Sequence, residues 1–132
     1  MNQLEIVRAL LNVPAVTTVV PHARIAFTKL PTGTPVPAIV LATISATPEP
    51  ALNFNAQPRA RARVQINPIA NDPAGVRAVL AAVRSALDFK HQVTAAGKTV
   101  VSCRMGSEGI EDQDPETGRW TQGVDYILIW VE

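Results

Sequence analysis

A chain of 132 residues suits one compact domain, able to hide roughly two-thirds of the surface its unfolded form would expose. Hydrophobic residues make up 47% and charged residues 17%, a balance that excludes a disordered chain and falls short of the charge of an ordinary soluble monomer. The formal charge of +1 lacks the basic excess of a dedicated nucleic-acid binder, so the expected partner is protein covering part of a sparsely charged surface.

Residues 2–12 read as a short amphipathic helix, with Asn2 as cap, Glu5 completing a capping box, and Leu4, Val7 and Leu11 on one face. Pro14 ends it, because proline disfavours helix in the residue before it. A short strand is expected near 24–27, and the proline-rich stretch 28–36 reads as an extended loop. Residues 36–46 are rich in β-branched side chains and form a strand, and 47–58, with three prolines, a long connection. In 59–67 the alternation is clean, with Ala60, Ala62, Val64 and Ile66 on one side and Arg59, Arg61 and Arg63 on the other.

The strongest helix signal follows. Asp72 is a natural cap, Pro73 sits at the first helical position, and Val76, Val79, Leu80, Val83 and Leu87 make one stripe. Residues 99–105 read as a strand, 106–118 as an acidic loop, and 122–131 as the closing strand. The predicted fold is α+β: a single domain over 1–132, with a mostly antiparallel sheet of four to five strands and two helices packed on one face. The N-terminus lacks a basic export signal, and no apolar run nears the roughly 20 residues of a membrane span. A soluble chain with no membrane contact is expected.

Catalytic patterns are missing. No nucleophile elbow, phosphate-cradling loop or dinucleotide fingerprint occurs, and His22 and His91 have no carboxylate or cysteine at ligand spacing. Cys103, the lone cysteine, alternates with Val101 and Met105 and reads as core rather than nucleophile. Asp112, Asp114 and Glu116 have the spacing that opens a calcium loop. Thr117 at the sixth position and Gly123 at the twelfth depart from that pattern. The stretch therefore reads as a solvated turn, whose negative charge suits a basic patch on a partner. No catalytic residue, metal or cofactor is expected.

The last strand is the anomaly. Tyr126, Leu128 and Trp130 form one face and Ile127, Ile129 and Val131 the other, whereas a half-exposed antiparallel strand should alternate apolar with polar. The Ile127 row is expected to pack under the helices with Val101, Cys103 and Ala62. That leaves Tyr126, Leu128 and Trp130 outside beside Arg59, Arg61 and Arg63, where guanidinium stacks on indole. Each large side chain left in water forgoes roughly 1.5–3 kcal/mol, so a neighbour should cover that face. The arginine row by itself reads equally as a contact surface or as a solvated face. Its opposite in charge, the loop bearing Asp112 and Asp114, completes the candidate interface between subunits or partners.

The order of these pieces, LEIVRALLNVPAV, LPTGTPVPAIVLATIS, RARARVQI, DPAGVRAVLAAVRSAL and PETGRWTQGVDYILIWV, carries a resemblance along the whole chain. It resembles the tail-completion or tail-terminator proteins of long-tailed bacteriophages, prophages and gene-transfer particles. The sequence departs from that family where Ile25 and the stretch 67–72 lack an expected aromatic. The resemblance implies a small α+β subunit in a ring, commonly hexameric, at the head-proximal end of the tail tube. Such a ring ends the tube and joins tail to head, in the virion after assembly in the host cytoplasm. Its partners would be further copies, the tail tube protein and connector or stopper proteins. DNA would pass through unread, which a near-neutral chain suits. Two rival readings stay open: another neck component such as a stopper or connector, and a dimeric α+β enzyme or small-ligand module. The second lacks a convergent set of titratable residues.

Overall fold

The computed structural model describes residues 2–49 and 58–132. Its helices follow the apolar periodicity and the prolines. The first, α1 (Gln3–Leu10), buries Ile6 and Val7 and precedes a fully buried Leu11. No side-chain bond forms at Asn2, so the predicted capping box is absent. What fixes the helix instead is Arg8, which donates to the carbonyls of Ile25 at 3.0 Å and His22 at 3.1 Å. Pro14 opens a second short helix, α2 (Pro14–Thr17), since the first helical position has no use for the missing N–H. In α3 (Pro73–Leu87) the Asp72 carboxylate accepts the Gly75 N–H at 2.6 Å, and the whole predicted stripe is buried.

The sheet corrects the predicted fold. Six strands occur among the described residues, β1 (Ile25–Phe27), β2 (Ala38–Glu49), β3 (Arg59–Ala70), β4 (Lys90–Ala95), β5 (Lys98–Gln113) and β6 (Trp120–Val131). Their order is β1-β2-β3-β6-β5-β4, with β1 parallel to β2 and every other pair antiparallel. The expectation of four to five mostly antiparallel strands under two helices therefore fails: the sheet is six-stranded and mixed, and strand far outweighs helix.

Two local causes account for the difference. β4 has a weak apolar pattern and is set up by its turn, where Ala96 and Gly97 both take positive φ (51° and 75°), the geometry of a tight hairpin. The acidic stretch is mostly strand, because β5 absorbs its surplus residues as bulges between Met105 and Ser107 and between Glu108 and Glu111. Glycine permits the second bulge: a Cβ on Gly109 would lie 3.0 Å from the Gly123 carbonyl oxygen. Only 114–119 remain as a turn, closed by Asp114 N–H to Arg119 O and Gly118 N–H to Asp114 O, each 2.8 Å. Residues 50–57 of the predicted connection lie outside the described residues.

One face of the sheet carries α1, α2 and α3, and the core lies between. Ile39 and Leu41 of β2, Val64 and Ile66 of β3, Val100 and Cys103 of β5 and Val124 of β6 join the buried helical residues there.

Candidate interaction surface

The ladder between β3 and β6 decides which row of the last strand faces outward. Arg59 stands opposite Val131, Arg61 opposite Ile129 and Arg63 opposite Ile127. Directly opposed residues share a face, so the arginines share theirs with the Ile127 row. Ala60, Ala62 and Val64 oppose Trp130, Leu128 and Tyr126, and those three large side chains have no exposed surface. This reverses the predicted assignment of Tyr126, Leu128 and Trp130 to an outer, partner-facing row. The physical reason is size matching: the alanines of β3 leave depth on the helical side that only the larger row fills. Ala62 and Cys103 are core as expected, but their neighbour across the ladder is Leu128. No arginine stacks on Trp130; the cation–π contact found among the described residues is Arg8 over Phe27, 5.9 Å from the ring centre.

The buried row is tied to the end of α3. The Tyr126 hydroxyl donates to Asp88, whose other oxygen meets Arg84 at 3.3 Å. Burial, then the hydrogen bond to Asp88, raises the Tyr126 pKa. Burial also pushes the Cys103 thiol up to about 12, with the Asp88 charge adding to it, so the thiol is inert at neutral pH. The Trp130 Nε1 is buried without a hydrogen-bond partner among the described residues.

Outside, the three ladder arginines differ. Arg63 is held by Asp125 at 3.2 Å, and Asp125 also accepts from Ser107 at 3.1 Å. The Arg63 side chain lies across Gly106 and beside Ile127, which keeps only 6% of its surface exposed. Part of the cover that the outer row demands thus comes from the chain's own Arg63 side chain. Arg59, Arg61 and Arg104 are exposed and make no ion pair among the described residues. Between them Ile129 and Val131 are half-buried.

The predicted acidic residues stand elsewhere. Asp112 is exposed on β5 opposite Thr121, and its Oδ1 accepts the Gln113 N–H at 2.9 Å. Asp114 accepts the Glu116 N–H at 2.9 Å and so shapes the turn. Thr121 and Ile129 are eight positions apart on β6, roughly 26 Å along a strand, so Asp112 and Arg61 do not meet within one chain. The sequence reading missed Ile110, which sits in the second β5 bulge with 87% of its surface exposed, and Phe89, 82% exposed at a positive φ of 57°. Neither belongs to an alternating or helical pattern, so no periodic signal marks them.

Among the described residues nothing else converges into a reactive site. Burial and then the Arg8 charge lower the His22 pKa, while His91 is exposed beside Phe89. Among the described residues no three His, Cys, Asp or Glu side chains form a metal-holding group, and no helix is long and apolar enough to cross a membrane.

Over residues 5–130 the sequence matches the family model for the tail completion protein gp17. The chain belongs to that tail completion family. It is a structural component of a bacteriophage tail, as the order of its motifs implied. A comparison with curated proteins finds no match. Among solved structures, a chain of the "Virion of native gene transfer agent (GTA) particle" has the same fold. It aligns with a TM-score of 0.67 at 15% identity, over 99% of this tail completion chain and 95% of its own length.

Proposed function

We propose that the chain assembles into a closed ring, hexameric in the family's manner, at the head-proximal end of the tail tube, ending the tube and joining it to the head. The observation that carries this is the outer sheet face, where half-exposed Ile129 and Val131 lie among exposed arginines that make no ion pair among the described residues. A contact between two different surfaces of identical subunits closes into a ring when the rotation allows it. Its partners are further copies, the tail tube protein and a connector or stopper of the neck. DNA passes through the ring without being read, and a net charge of +1 does not hold it there.

Light scattering and pull-down on purified tail tubes test this reading. A discrete oligomer, free or formed on the tube, is the expected result. A species that stays monomeric at every concentration and ignores tubes overturns it. The reading as an enzyme or ligand module gains no support from the groove of about 400 Å³ between Leu10, Val13, Ala86, Lys90 and Val93, where Lys90 is the titratable side chain.

A further inference from the structure

We propose that the acidic far end of the β5–β6 hairpin of one copy docks on the outer sheet face of the next, with Ile110 against Ile129 and Asp112 paired to Arg61. This inference rests on the ring reading and names the contact that would build it.

The receiving face is defined by what its own chain leaves unsatisfied. Arg63 has Asp125, and Arg59 has Glu49 opposite it on β2. Arg61 is flanked by Thr47 and Ile129, and Arg104 by Ile127, so neither has an acid across the ladder. The half-exposed Ile129 stands directly across from Arg61 and on the diagonal from Arg104, with Ser102 on its other side. The site is an apolar spot with one guanidinium across the ladder and a second on the diagonal.

The far end of the hairpin has the complementary character. β4 pairs with β5 only over Lys98–Cys103, so beyond Cys103 that edge has no strand partner among the described residues. Residues 105–118 contain Glu108, Glu111, Asp112, Asp114 and Glu116 and no cation. Arg77 of α3 takes up Glu111 at 3.4 Å, whereas Glu108 and Asp112 are exposed and make no ion pair among the described residues, Glu108 opposite buried Val124 on the helical face and Asp112 opposite Thr121 on the outer face. One arm therefore presents an exposed apolar side chain near the Asp112 carboxylate, and the other face presents an apolar side chain beside the Arg61 guanidinium.

Geometry assigns the two halves to different chains. They stand roughly 26 Å apart along β6, too far to meet in one subunit, and equivalent ends of two copies repel. Pairing of the open β5 edge with another strand is the competing mode. Two bulges and the exposed carboxylates blunt that edge, as native sheets do to prevent strand addition, so contact through side chains is favoured.

The test uses the full chain with Ile110→Cys and Ile129→Cys together. Native Cys103 is buried and stays silent. On tail tubes under mild oxidation, the double variant should give a ladder of covalent multimers, and each single variant should give none beyond a dimer. Oligomers seen by light scattering without that ladder overturn this contact and leave the ring reading standing. Absence of any oligomer, free or on tubes, overturns both. A charge series gives a second reading: Arg61→Glu and Asp112→Lys should each weaken assembly about tenfold, increasingly at low salt, and their combination in one chain should restore it. Losses that simply add in the combined variant count against the pairing.

Discussion

The two rows of β6 have nearly the same hydrophobicity and opposite fates. Tyr126, Leu128 and Trp130 lose all their exposed surface beneath α3, whereas Ile129 and Val131 stay half-buried beside arginines. What separates them is the strand next door. Opposite the inner row β3 offers Ala60 and Ala62, and opposite the outer row it offers Arg59 and Arg61. Composition sets how much apolar surface a strand carries; the register with its neighbour sets which half of it belongs to the domain's own core.

The largest expected effects come from forcing charge or space into the inner row. Leu128→Glu places a carboxylate at a site with no exposure, which costs several kcal/mol and should leave little folded protein at 25 °C. Trp130→Ala should cost about 3–5 kcal/mol through lost burial and the remaining cavity, read as a lower urea midpoint with an unchanged slope. Native-like stability in either variant would place the row outside after all. Tyr126→Phe is milder. It removes the donor to Asp88, whose side chain keeps Arg84 and 20% of its exposure, so the loss should sit near the low end of about 1.5–3 kcal/mol. Thermal unfolding of Tyr126→Phe against Tyr126→Phe with Asp88→Asn would show whether the hydroxyl acts through that carboxylate, because the first change should then matter less in the second background.

Helix α3 was fully legible in the sequence because Asp72, Pro73 and the five-residue stripe all point the same way. The β3 alternation was legible for the same reason, its alanines and arginines never sharing a side. β4 was not, since its position depends on positive φ at Ala96 and Gly97, a turn that an alanine does not advertise. The acidic part of β5 was not, because bulges break the two-residue period on which strands are recognised. The face of β6 was out of reach in principle: both of its rows are apolar, and only the pairing with β3 chooses between them. Of the candidate interface residues, Arg59 and Arg61 lie on an open face and Asp112 on an exposed arm, while Arg63 is taken by Asp125 and Asp114 by its turn.

Alkaline pH gives a smaller and graded handle on the inner side. The Cys103 thiol is pushed up from 9.0 to about 12 in the folded chain. Above the unfolded value the denatured chain loses its proton while the native one keeps it, so stability is complete below pH 9 and falls as pH rises toward 12. The slope contributed is about 1.4 kcal/mol per pH unit. Denaturant midpoints measured between pH 8.5 and 10.5 should fall with pH in the native chain and less steeply in Cys103→Ala. Equal slopes would mean that the thiol titrates alike folded and unfolded. Tyr126 adds a decline of the same sign, beginning nearer pH 10, because its pKa is also raised.

The smallest change in stability should accompany the largest change in assembly. Ile129 is half-buried on the outer face, between Arg61 across the ladder on one side and Ser102 on the other. Ile129→Ser removes half-buried apolar surface without opening a cavity in the core, so the unfolding free energy should fall by only about 1 kcal/mol. If the outer row serves a neighbouring subunit, the same substitution should reduce oligomer formation and tube binding about tenfold. Ile129→Val, which keeps the apolar contact, should reduce neither appreciably. A variant that loses far more stability than this together with assembly would assign Ile129 to the monomer's own packing. A fold little changed in stability with assembly lost would separate the two rows of one strand by what they do.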